Sequence, residues 1–269
     1  MATTNQTRPI ALTIAGSDCS GGAGIQADLK TFAANGIYGA SALTALTAQN
    51  TLGVQAVHTP PADFIEQQLQ SVFSDLKVAA VKTGMLANRE IVDAVVVQLN
   101  AHPSIPVVAD PVMVATSGDP LLADDAVEAV RTRLVPRATL LTPNLDEAAH
   151  LLQCKPASTA DEMVVQARAI MQLGCNAVLV KGGHFSGDEA ADVLLCADGS
   201  IEWLKATRVE TKNTHGTGCT LSAAIAAQLA LGKDLTSAAQ EAKAYLTRAL
   251  IAGANQHIGG GHGPVDHQV

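Results

Sequence analysis

The feature of this sequence that most constrains its fold is a regular alternation of short apolar runs with longer stretches of helical period. In such a pattern each helix carries the chain from one strand to a parallel neighbour, so the alternation is typical of βαβ units. The sequence therefore predicts an α/β fold with helices packed on a mainly parallel sheet. The predicted strands cover residues 11–16, 40–49, 78–83, 106–112, 139–143, 177–182, 192–197 and 201–208. The last two are expected to form a hairpin across Asp198-Gly199.

The helices between these strands are recognised by their apolar faces. In residues 62–76 and 91–99, apolar side chains recur at the spacing that places them on one side of a helix. A third long helix begins near Gly218 and ends before Gly232, a residue type that favours the position after a helix. No long linker, charge block or internal repeat divides the chain, so we expect one domain over residues 1–269.

Composition and charge narrow the classes of function. Hydrophobic residues make up 48% of the chain and charged residues only 16%, which is enough apolar material for a large core around a buried sheet. The formal net charge of −8 argues against a nucleic acid or an anionic membrane as partner, because both require a basic surface. An anionic substrate would need local cations, backbone amides or a metal.

The cysteines and the N-terminus indicate a reducing compartment. The five cysteines are odd in number, are widely scattered and show no CxxC or His/Cys metal spacing, so we expect reduced thiols. Residues 1–9 are polar and lack the apolar core of a secretory signal, and the apolar run at 92–97 is far too short to cross a bilayer. We therefore expect a cytoplasmic protein. The cysteines are Cys19, Cys154, Cys175, Cys196 and Cys219.

A glycine-rich segment, residues 16–24, follows the first strand and opens a helix that contains Asp28. Glycines at such a point let the backbone approach a ligand and direct amides at it. The segment is neither GxGxxG nor a Walker loop, so an NAD-type oxidoreductase and a P-loop enzyme are both disfavoured. The alternative is a tight turn with a helix cap.

A second loop, residues 214–219, also leads into a helix. Its amides at Gly216–Cys219 would meet the positive helix end at one point, which makes an anion hole suited to a phosphoryl group in transfer. We expect the thiol of Cys219 to have a lowered pKa there. The alternative is a small cysteine packed under the helix.

Acidic and polar side chains stand at further strand ends. Asp110 ends the fourth predicted strand, and Asn144 and Glu147 follow the fifth. Oxygen ligands at this edge of a sheet suit Mg²⁺ bound to nucleotide phosphates. The alternative is a capping box, with Asn144 as N-cap and Glu147 three residues later.

Two other strand ends add a cation and a ring-binding surface. Lys181 stands beside two glycines and could meet a nucleotide phosphate, although an ordinary surface lysine is the alternative. Gln49 could read the polar edge of a nitrogen-containing ring while Met85 packs on its face, although polar residues at strand ends are also common structural features.

Taken in order, these segments resemble the ribokinase-like superfamily. Within it, they are most similar to the vitamin kinases that phosphorylate hydroxymethylpyrimidine and phosphomethylpyrimidine in thiamine biosynthesis. The resemblance covers the chain from about residue 10 to residue 265, and its strength lies in the collinear order of the motifs. The matching segments are 11–18 (ALTIAGSD), 20–28 (SGGAGIQAD), 47–50 (TAQN), 82–85 (KTGM), 110–113 (DPVM), 142–144 (TPN), 181–184 (KGGH) and 213–219 (NTHGTGC).

This resemblance implies a three-layer α/β/α sandwich, Mg²⁺ and ATP, a homodimer and two successive phosphoryl transfers to 4-amino-5-hydroxymethyl-2-methylpyrimidine. By the same resemblance, the residues divide into four groups. The ring is bound by Gly16, Asp28, Gln49, Met85 and Val112; ATP by Asp110, Asn144, Lys181 and Thr214; the metal by Asp110 and Glu147; and catalysis falls to Gly216, Thr217, Gly218 and Cys219.

Most sugar kinases of the superfamily carry Asp as catalytic base where this chain has Cys219. The pyrimidine kinases are similar to this chain in carrying Cys, whereas many pyridoxal kinases carry Asp. A pyridoxal or pyridoxine kinase remains the alternative activity, because some of those enzymes also carry Cys. A non-catalytic ligand sensor on the same fold would be expected to lose the anion hole or the Asn144/Glu147 pattern, and this sequence keeps both.

Two further segments carry expectations of their own. Residues 115–120, with Ser117-Gly118, are a candidate loop that closes over the site. The Gly- and His-rich tail, residues 259–269, is expected to be a surface terminus with solvated histidines.

Overall fold

The computed structural model describes residues 8–113, 124–183 and 188–269. Within these ranges nine strands form one sheet, and eight of them match the predicted strands. The candidate closing loop at 115–120 and His184 lie outside the described residues. The strands are β1 (Ile10–Asp18), β2 (Tyr38–Asn50), β3 (Gly53–His58), β4 (Val78–Thr83), β5 (Val107–Ala109), β6 (Leu140–Leu141), β7 (Ala177–Lys181), β8 (Glu189–Cys196) and β9 (Ile201–Thr207).

The strand order is β3-β2-β1-β4-β5-β6-β7-β8-β9. The six strands from β2 to β7 in this order pair in parallel, whereas β3, β8 and β9 are antiparallel to their neighbours. The hairpin across Asp198-Gly199 is confirmed, and Gly199 has the positive φ of 84° that the turn requires. The prediction of a mainly parallel sheet is therefore confirmed.

The strand that the sequence analysis missed is β3. It is a six-residue edge strand that pairs only with β2, and four of its residues are exposed. Because neither of its faces is buried, it lacks the apolar alternation by which strands are recognised in a sequence.

Helices cover both faces of the sheet. Side chains such as Ile65, Leu69 and Val92 pack on one face, and Phe32 and Ile225 belong to a second buried cluster on the other. The three-layer α/β/α arrangement is thus confirmed. It is the arrangement expected of a mainly parallel sheet, because both of its faces must be covered. The helices are α1 (Gly24–Ala34), α2 (Ala62–Asp75), α3 (Arg89–Ala101), α4 (Asp124–Ala129), α5 (Leu145–Leu152), α6 (Ala160–Met171), α7 (Thr217–Ala230) and α8 (Leu235–Gly253). None of the helices in the described ranges is long and apolar enough to cross a membrane.

Helix α7 is the element that carries the predicted anion hole. It starts at Thr217, one residue before the predicted start, and Gly232 follows its end with a φ of 83°. Its residues from Thr220 to Gln228 are all buried, because the helix lies between the sheet and its neighbours α1 and α8. A helix buried in this way can hold the backbone amides of its N-terminus in a fixed direction toward a ligand.

The C-terminal tail differs from its expectation as a free surface terminus. Its backbone is tied to three parts of the molecule, through His262 N to Thr51 O (3.0 Å), His215 N to Gly263 O (3.0 Å) and Asp266 N to Ala249 O (3.1 Å). His267 is buried, and burial lowers its pKa to about 4, with Lys30 acting in the same direction. Sequence patterns could not show this, because the contacts join residues that are far apart in the chain.

Candidate active site

A cavity of about 840 Å³ opens at the edge of the sheet where β1, β4, β5 and β7 end. Parallel strands bring their carboxyl ends to one edge, so the residues that follow them converge there. All the site residues expected from the sequence line this cavity except Asp28. They are Gly16, Gln49, Met85, Asp110, Val112, Asn144, Glu147, Lys181, Thr214, Gly216, Thr217, Gly218 and Cys219.

Asp28 lies beneath the cavity wall and pairs with Lys82. The two side chains are fully buried, and Lys82 Nζ lies 2.8 Å from Asp28 Oδ2, which also accepts a 2.6 Å hydrogen bond from Thr13 Oγ1. Asp28 Oδ1 has no hydrogen-bond partner among the described residues. Lys82 lines the cavity, so the carboxylate reaches the site through its lysine.

The N-terminus of α7 closes the middle of the cavity. Gly216 caps it with a φ of 80°, and a Cβ at this position would collide with the carbonyl oxygen of Gly22. A Cβ at Gly218 would lie 3.3 Å from Lys181 Nζ and 3.7 Å from Asp110 Oδ2. The glycines therefore let the helix end approach both the first loop and a lysine. The amide of Thr217 donates to Thr214 O at 3.2 Å, which leaves those of Gly218 and Cys219 for a ligand in the cavity.

Lys181 is shared by two carboxylates. Its Nζ lies 2.8 Å from Asp110 Oδ1 and 3.7 Å from Glu147 Oε2. Burial would raise the pKa of Asp110, but Lys181 and then Lys82 hold it below its ordinary value. Asp110 also accepts hydrogen bonds from Thr142 Oγ1 at 3.1 Å and Ser222 Oγ at 3.2 Å, which tie together β6, β7 and α7.

Asn144 and Glu147 form the capping box of α5. Glu147 N donates to Asn144 Oδ1 at 2.8 Å, and Asn144 N donates to Glu147 Oε2 at 2.7 Å. The capping box that the sequence offered as the alternative role of this pair is therefore present. Glu147 also lines the cavity beside Lys181. Burial, with Asp110 in addition, raises the pKa of Glu147 to about 7 against the opposing charge of Lys181.

Cys219 does not have the lowered pKa expected from its place at a helix start. Burial raises the pKa of its thiol to about 11; Lys82 opposes this shift, and Asp28 and Asp110 add to it. The expectation rested on the helix end alone. It was wrong because folding buries the thiol, and burial, with Asp28 and Asp110 in addition, outweighs the effect of the helix end.

The opposite wall of the cavity is narrow and partly apolar. Met85 Sδ lies 3.2 Å from the place of a Cβ on Gly16, so this glycine leaves room for the methionine. Gln49 also lines this wall, and its Oε1 accepts a hydrogen bond from Thr47 Oγ1 at 3.0 Å. A ring placed here would meet an amide at its edge and a thioether at its face.

Several lining residues were not identified from the sequence. At the far end of the cavity, α8 and the end of β9 contribute Val209, Leu246 and Leu250. An apolar helix face cannot be told from core by its period, so no sequence signal marked these residues. Lys82 belongs to the matching segment 82–85, but no role was predicted for it. A lysine among apolar strand residues was the sequence signal that could have identified it. The pair Asp18–His215 was likewise unassigned.

The fold and this site define an α/β kinase of the ribokinase-like class. The profile of the phosphomethylpyrimidine kinase family matches residues 18–266. The chain is 52% identical over 257 residues to the hydroxymethylpyrimidine/phosphomethylpyrimidine kinase of Salmonella typhimurium, and 55% identical over 258 residues to that of Rhizobium meliloti, with 96% of each chain covered. The chain belongs to the phosphomethylpyrimidine kinase family.

Solved structures agree with this assignment. The pyridoxal kinase of Bacillus subtilis in an ADP complex has a TM-score of 0.88 and 37% identity, covering 97% of this chain and 98% of the other. The phosphomethylpyrimidine kinase of Clostridium difficile has a TM-score of 0.80 and 42% identity, covering 90% and 100%. The pyridoxal kinase of Staphylococcus aureus in complex with AMP-PCP and pyridoxal has a TM-score of 0.89 and 36% identity, covering 98% and 94%.

Proposed function

We propose that this protein transfers the γ-phosphoryl group of ATP to 4-amino-5-hydroxymethyl-2-methylpyrimidine, and then a second one to the resulting monophosphate. The observation that carries the proposal is a single cavity in which a ring-sized wall, formed by Gln49 and Met85, faces the amides at the start of α7. An alcohol held on that wall would point at the anion hole. The family relationship supports the same reaction.

The ring would be held by polar and apolar contacts together. Gln49 offers an amide to the polar edge of the ring, and Met85 offers an apolar surface to its face. Asp28 does not line the cavity, so it would act on the ring only through Lys82, whose ammonium it holds at 2.8 Å.

The nucleotide would occupy the remaining length of the cavity. Val209, Leu246 and Leu250 would form an apolar surface for the base, while Lys181, Asn144 and Thr214 line the same cavity and would meet the phosphates. The Lys181 ammonium can meet phosphate oxygens as a point charge. In this arrangement, the amides of residues 216–219 would stabilise charge that develops on the transferred group.

Asp110 and Glu147 would hold Mg²⁺ together with the phosphates. Both carboxylates lie within 4 Å of the same Lys181 Nζ, so one positive charge faces two acidic side chains. A bound Mg²⁺ would balance the remaining negative charge. The described residues contain no group of three or more His, Cys, Asp or Glu able to hold a metal by themselves, which suits an ion that arrives with the nucleotide. Bound there, Mg²⁺ would neutralise phosphate charge.

Cys219 would take the proton of the hydroxymethyl group. With a pKa of about 11, only about one thiol in ten thousand is ionised at neutral pH, so its contribution grows as the pH rises. Phosphoryl transfer depends mainly on positioning and charge stabilisation, and the base contributes less.

A pyridoxal kinase is the second candidate. The structures of the Bacillus subtilis and Staphylococcus aureus pyridoxal kinases superpose on this chain with TM-scores of 0.88 and 0.89. Pyridoxal is also a methyl-substituted nitrogen ring with a hydroxymethyl group, so the same wall could bind it. The two substrates differ in the polar edge of the ring to which the Gln49 amide would bind.

We also propose that the chain acts as one kinase domain, in the cytoplasm, as a homodimer. The edge formed by β2 and β3 exposes Leu46, Leu52 and Val57, and Phe64 of the following helix is also exposed. An edge strand with exposed apolar side chains is a surface that a second copy could cover. Sedimentation velocity should give twice the monomer mass, and Leu52→Glu should shift it to the monomer.

The activity is tested by ADP release with three acceptors: the pyrimidine alcohol, its monophosphate and pyridoxal. We expect turnover with the first two and a much lower kcat/KM with pyridoxal. Gln49→Leu should lower kcat/KM for the pyrimidine alcohol by about 1–3 kcal/mol, or roughly 5- to 150-fold, because a polar edge of the ring loses its partner. The KM for ATP should stay unchanged.

The matched control is Gln70→Leu, the same substitution at an exposed position of α2. It should leave both substrates unaffected. Equal losses for the pyrimidine and for ATP in Gln49→Leu would remove Gln49 from the ring-binding wall. Efficient turnover of pyridoxal alone would replace the proposed substrate with the second candidate.

A further inference from the structure

Two loops of the site are joined by a buried contact that the proposed mechanism does not use. Asp18 stands at the end of β1, and His215 stands directly before the helix cap Gly216. His215 Nε2 lies 2.8 Å from Asp18 Oδ2, and the two side chains are 7% and 3% exposed. The contact bridges 197 residues of sequence and therefore links the acceptor loop, residues 18–24, to the anion-hole loop, residues 213–219.

Asp18 also organises its own loop. Its Oδ1 accepts hydrogen bonds from Ser20 N at 2.9 Å and Ser20 Oγ at 2.7 Å, and its Oδ2 accepts from Gly22 N at 3.1 Å and Ala23 N at 2.8 Å. Burial would raise the pKa of this carboxyl, but His215, Ser20 and Ala23 hold it well below its ordinary value. The carboxylate thus fixes the backbone of the acceptor loop and the imidazole at the same time.

His215 is held from the other side by the C-terminal tail. Its backbone N donates to Gly263 O at 3.0 Å, and it forms a bridge with Pro264. Gly22 fits between these groups, since a Cβ there would collide with the imidazole and lie 3.2 Å from Pro264 Cβ. Gly216 in turn abuts the carbonyl of Gly22. The acceptor loop, the anion-hole loop and the tail therefore interlock at one point.

We propose that the Asp18–His215 contact is a latch that sets the distance between the bound alcohol and the anion hole. His215 acts as a positioning residue through Gly216 and does not touch the reacting atoms. The reaction it serves is the proposed phosphoryl transfer, so this role rests on the proposed function. Transfer between two bound groups is sensitive to their separation, and a displacement of about 1 Å can cost on the order of 10²-fold in rate.

The latch is tested by kcat and KM for the pyrimidine alcohol and for ATP in His215→Ala, His215→Gln, Asp18→Asn and the double variant Asp18→Asn/His215→Ala. We expect His215→Ala and Asp18→Asn each to lower kcat by roughly 10- to 100-fold with both KM values within about threefold. His215→Gln should recover part of the loss, because its amide can still donate to Asp18. The double variant should be no more than about threefold worse than the poorer single variant.

The matched control is Gln228→Ala. Gln228 Nε2 donates to Asn35 Oδ1 at 2.8 Å, a bond of the same length that joins α7 to the end of α1 at the far end of both helices. This variant should lower the Tm without changing kcat. If it lowers kcat as much as His215→Ala at an equal loss in Tm, the latch has no positioning role and the proposal is overturned.

Hydrogen exchange gives a readout that does not depend on the substrate. In His215→Ala and Asp18→Asn, peptides from both loops should exchange faster together, whereas in Gln228→Ala they should not. Unchanged exchange in the anion-hole loop of Asp18→Asn would overturn the latch even if the kinase activity is confirmed. Faster exchange in both loops of a protein that does not phosphorylate the pyrimidine would support the latch and reject the proposed substrate.

Discussion

Among the lysines that line the cavity, Lys82 near the end of β4 and Lys181 at the end of β7 stand in opposite electrostatic situations. Lys82 has one carboxylate partner, Asp28, at 2.8 Å, and both side chains are fully buried. Lys181 lies near two carboxylates, Asp110 at 2.8 Å and Glu147 at 3.7 Å, and its side chain is 14% exposed. The first pair is closed and balanced, whereas the second cluster is open and has an excess of negative charge.

This difference separates an architectural role from a ligand-dependent one. Although burial alone would lower the pKa of Lys82, Asp28 raises it above its ordinary value, so the lysine stays charged. Burial raises the pKa of Asp28, and Lys82 opposes that shift. In the other cluster, burial raises the pKa of Glu147 to about 7; Lys181 opposes this shift, and Asp110 adds to it. A site with unbalanced charge responds to a cation or to protons, as a site for Mg²⁺ and nucleotide should.

The largest effect is expected at the closed pair. Lys82→Met leaves Asp28 buried and unpaired, and breaking a buried pair from one side costs about 3–5 kcal/mol in the free energy of unfolding. Urea denaturation measures it, and Lys82→Met/Asp28→Asn should recover part of the loss. As control, Lys205→Met at the exposed pair with Glu189 should cost less than about 1 kcal/mol. Equal costs at the two pairs would contradict the comparison.

In the cluster of Lys181, Asp110 and Glu147, a substitution should lower activity more than stability. Lys181→Met should lower kcat for the pyrimidine by roughly 10²–10³-fold, since a charge that faces the transferred phosphoryl group is lost. The loss of stability should be smaller than in Lys82→Met, because Glu147 can take up a proton when the lysine is gone. A stability loss equal to that of Lys82→Met, with kcat unchanged, would make Lys181 a structural residue.

Cys219 lies between the two clusters, and its pKa of about 11 makes a sharper prediction possible than the sequence allowed. The kcat/KM for the pyrimidine should rise as the pH increases from 7 to 9, because the thiolate fraction grows. Cys219→Ala should remove this rise and lower kcat by about 10²-fold at pH 7. A variant that retains the pH dependence would show that the proton leaves by another route.

The smallest effect is expected at Glu147. Its pKa is about 7 in the folded protein and ordinarily about 4.5, so the folded state binds the proton more tightly. The stability from this group is therefore present below about pH 4.5 and is lost as the pH rises through 7. Relative to Glu147→Gln, the wild type should lose unfolding free energy over this window, as measured by urea denaturation at several pH values.

The same variant tests the metal role of Glu147. Glu147→Gln should raise the Mg²⁺ concentration needed for half-maximal rate by a few fold while the helix cap persists, because the Gln oxygen can still accept from Asn144 N. An unchanged Mg²⁺ profile with an earlier melting transition would leave Glu147 with its capping role alone.

The sequence by itself determined the α/β class, eight of the nine strands in the described part of the chain and which loops face the cavity. Apolar periodicity is local, so it can be recognised without knowledge of the fold, and parallel strands oblige the residues at their ends to converge. The glycines at 216 and 218 were likewise recognisable from their place before a predicted helix, and at 216 only a residue without a side chain permits the close approach to Gly22. The edge strand β3 escaped because it buries neither face.

Only the tertiary structure decided the electrostatics of the site. The pKa of Cys219 is raised first by burial of the thiol and then by Asp28 and Asp110, which lie far away in the sequence and come near the thiol only when the sheet is formed. The same holds for the second carboxylate at Lys181, for the Asp18–His215 contact and for the burial of the tail. Charge interactions depend on distance and burial, and neither is a property of a sequence pattern.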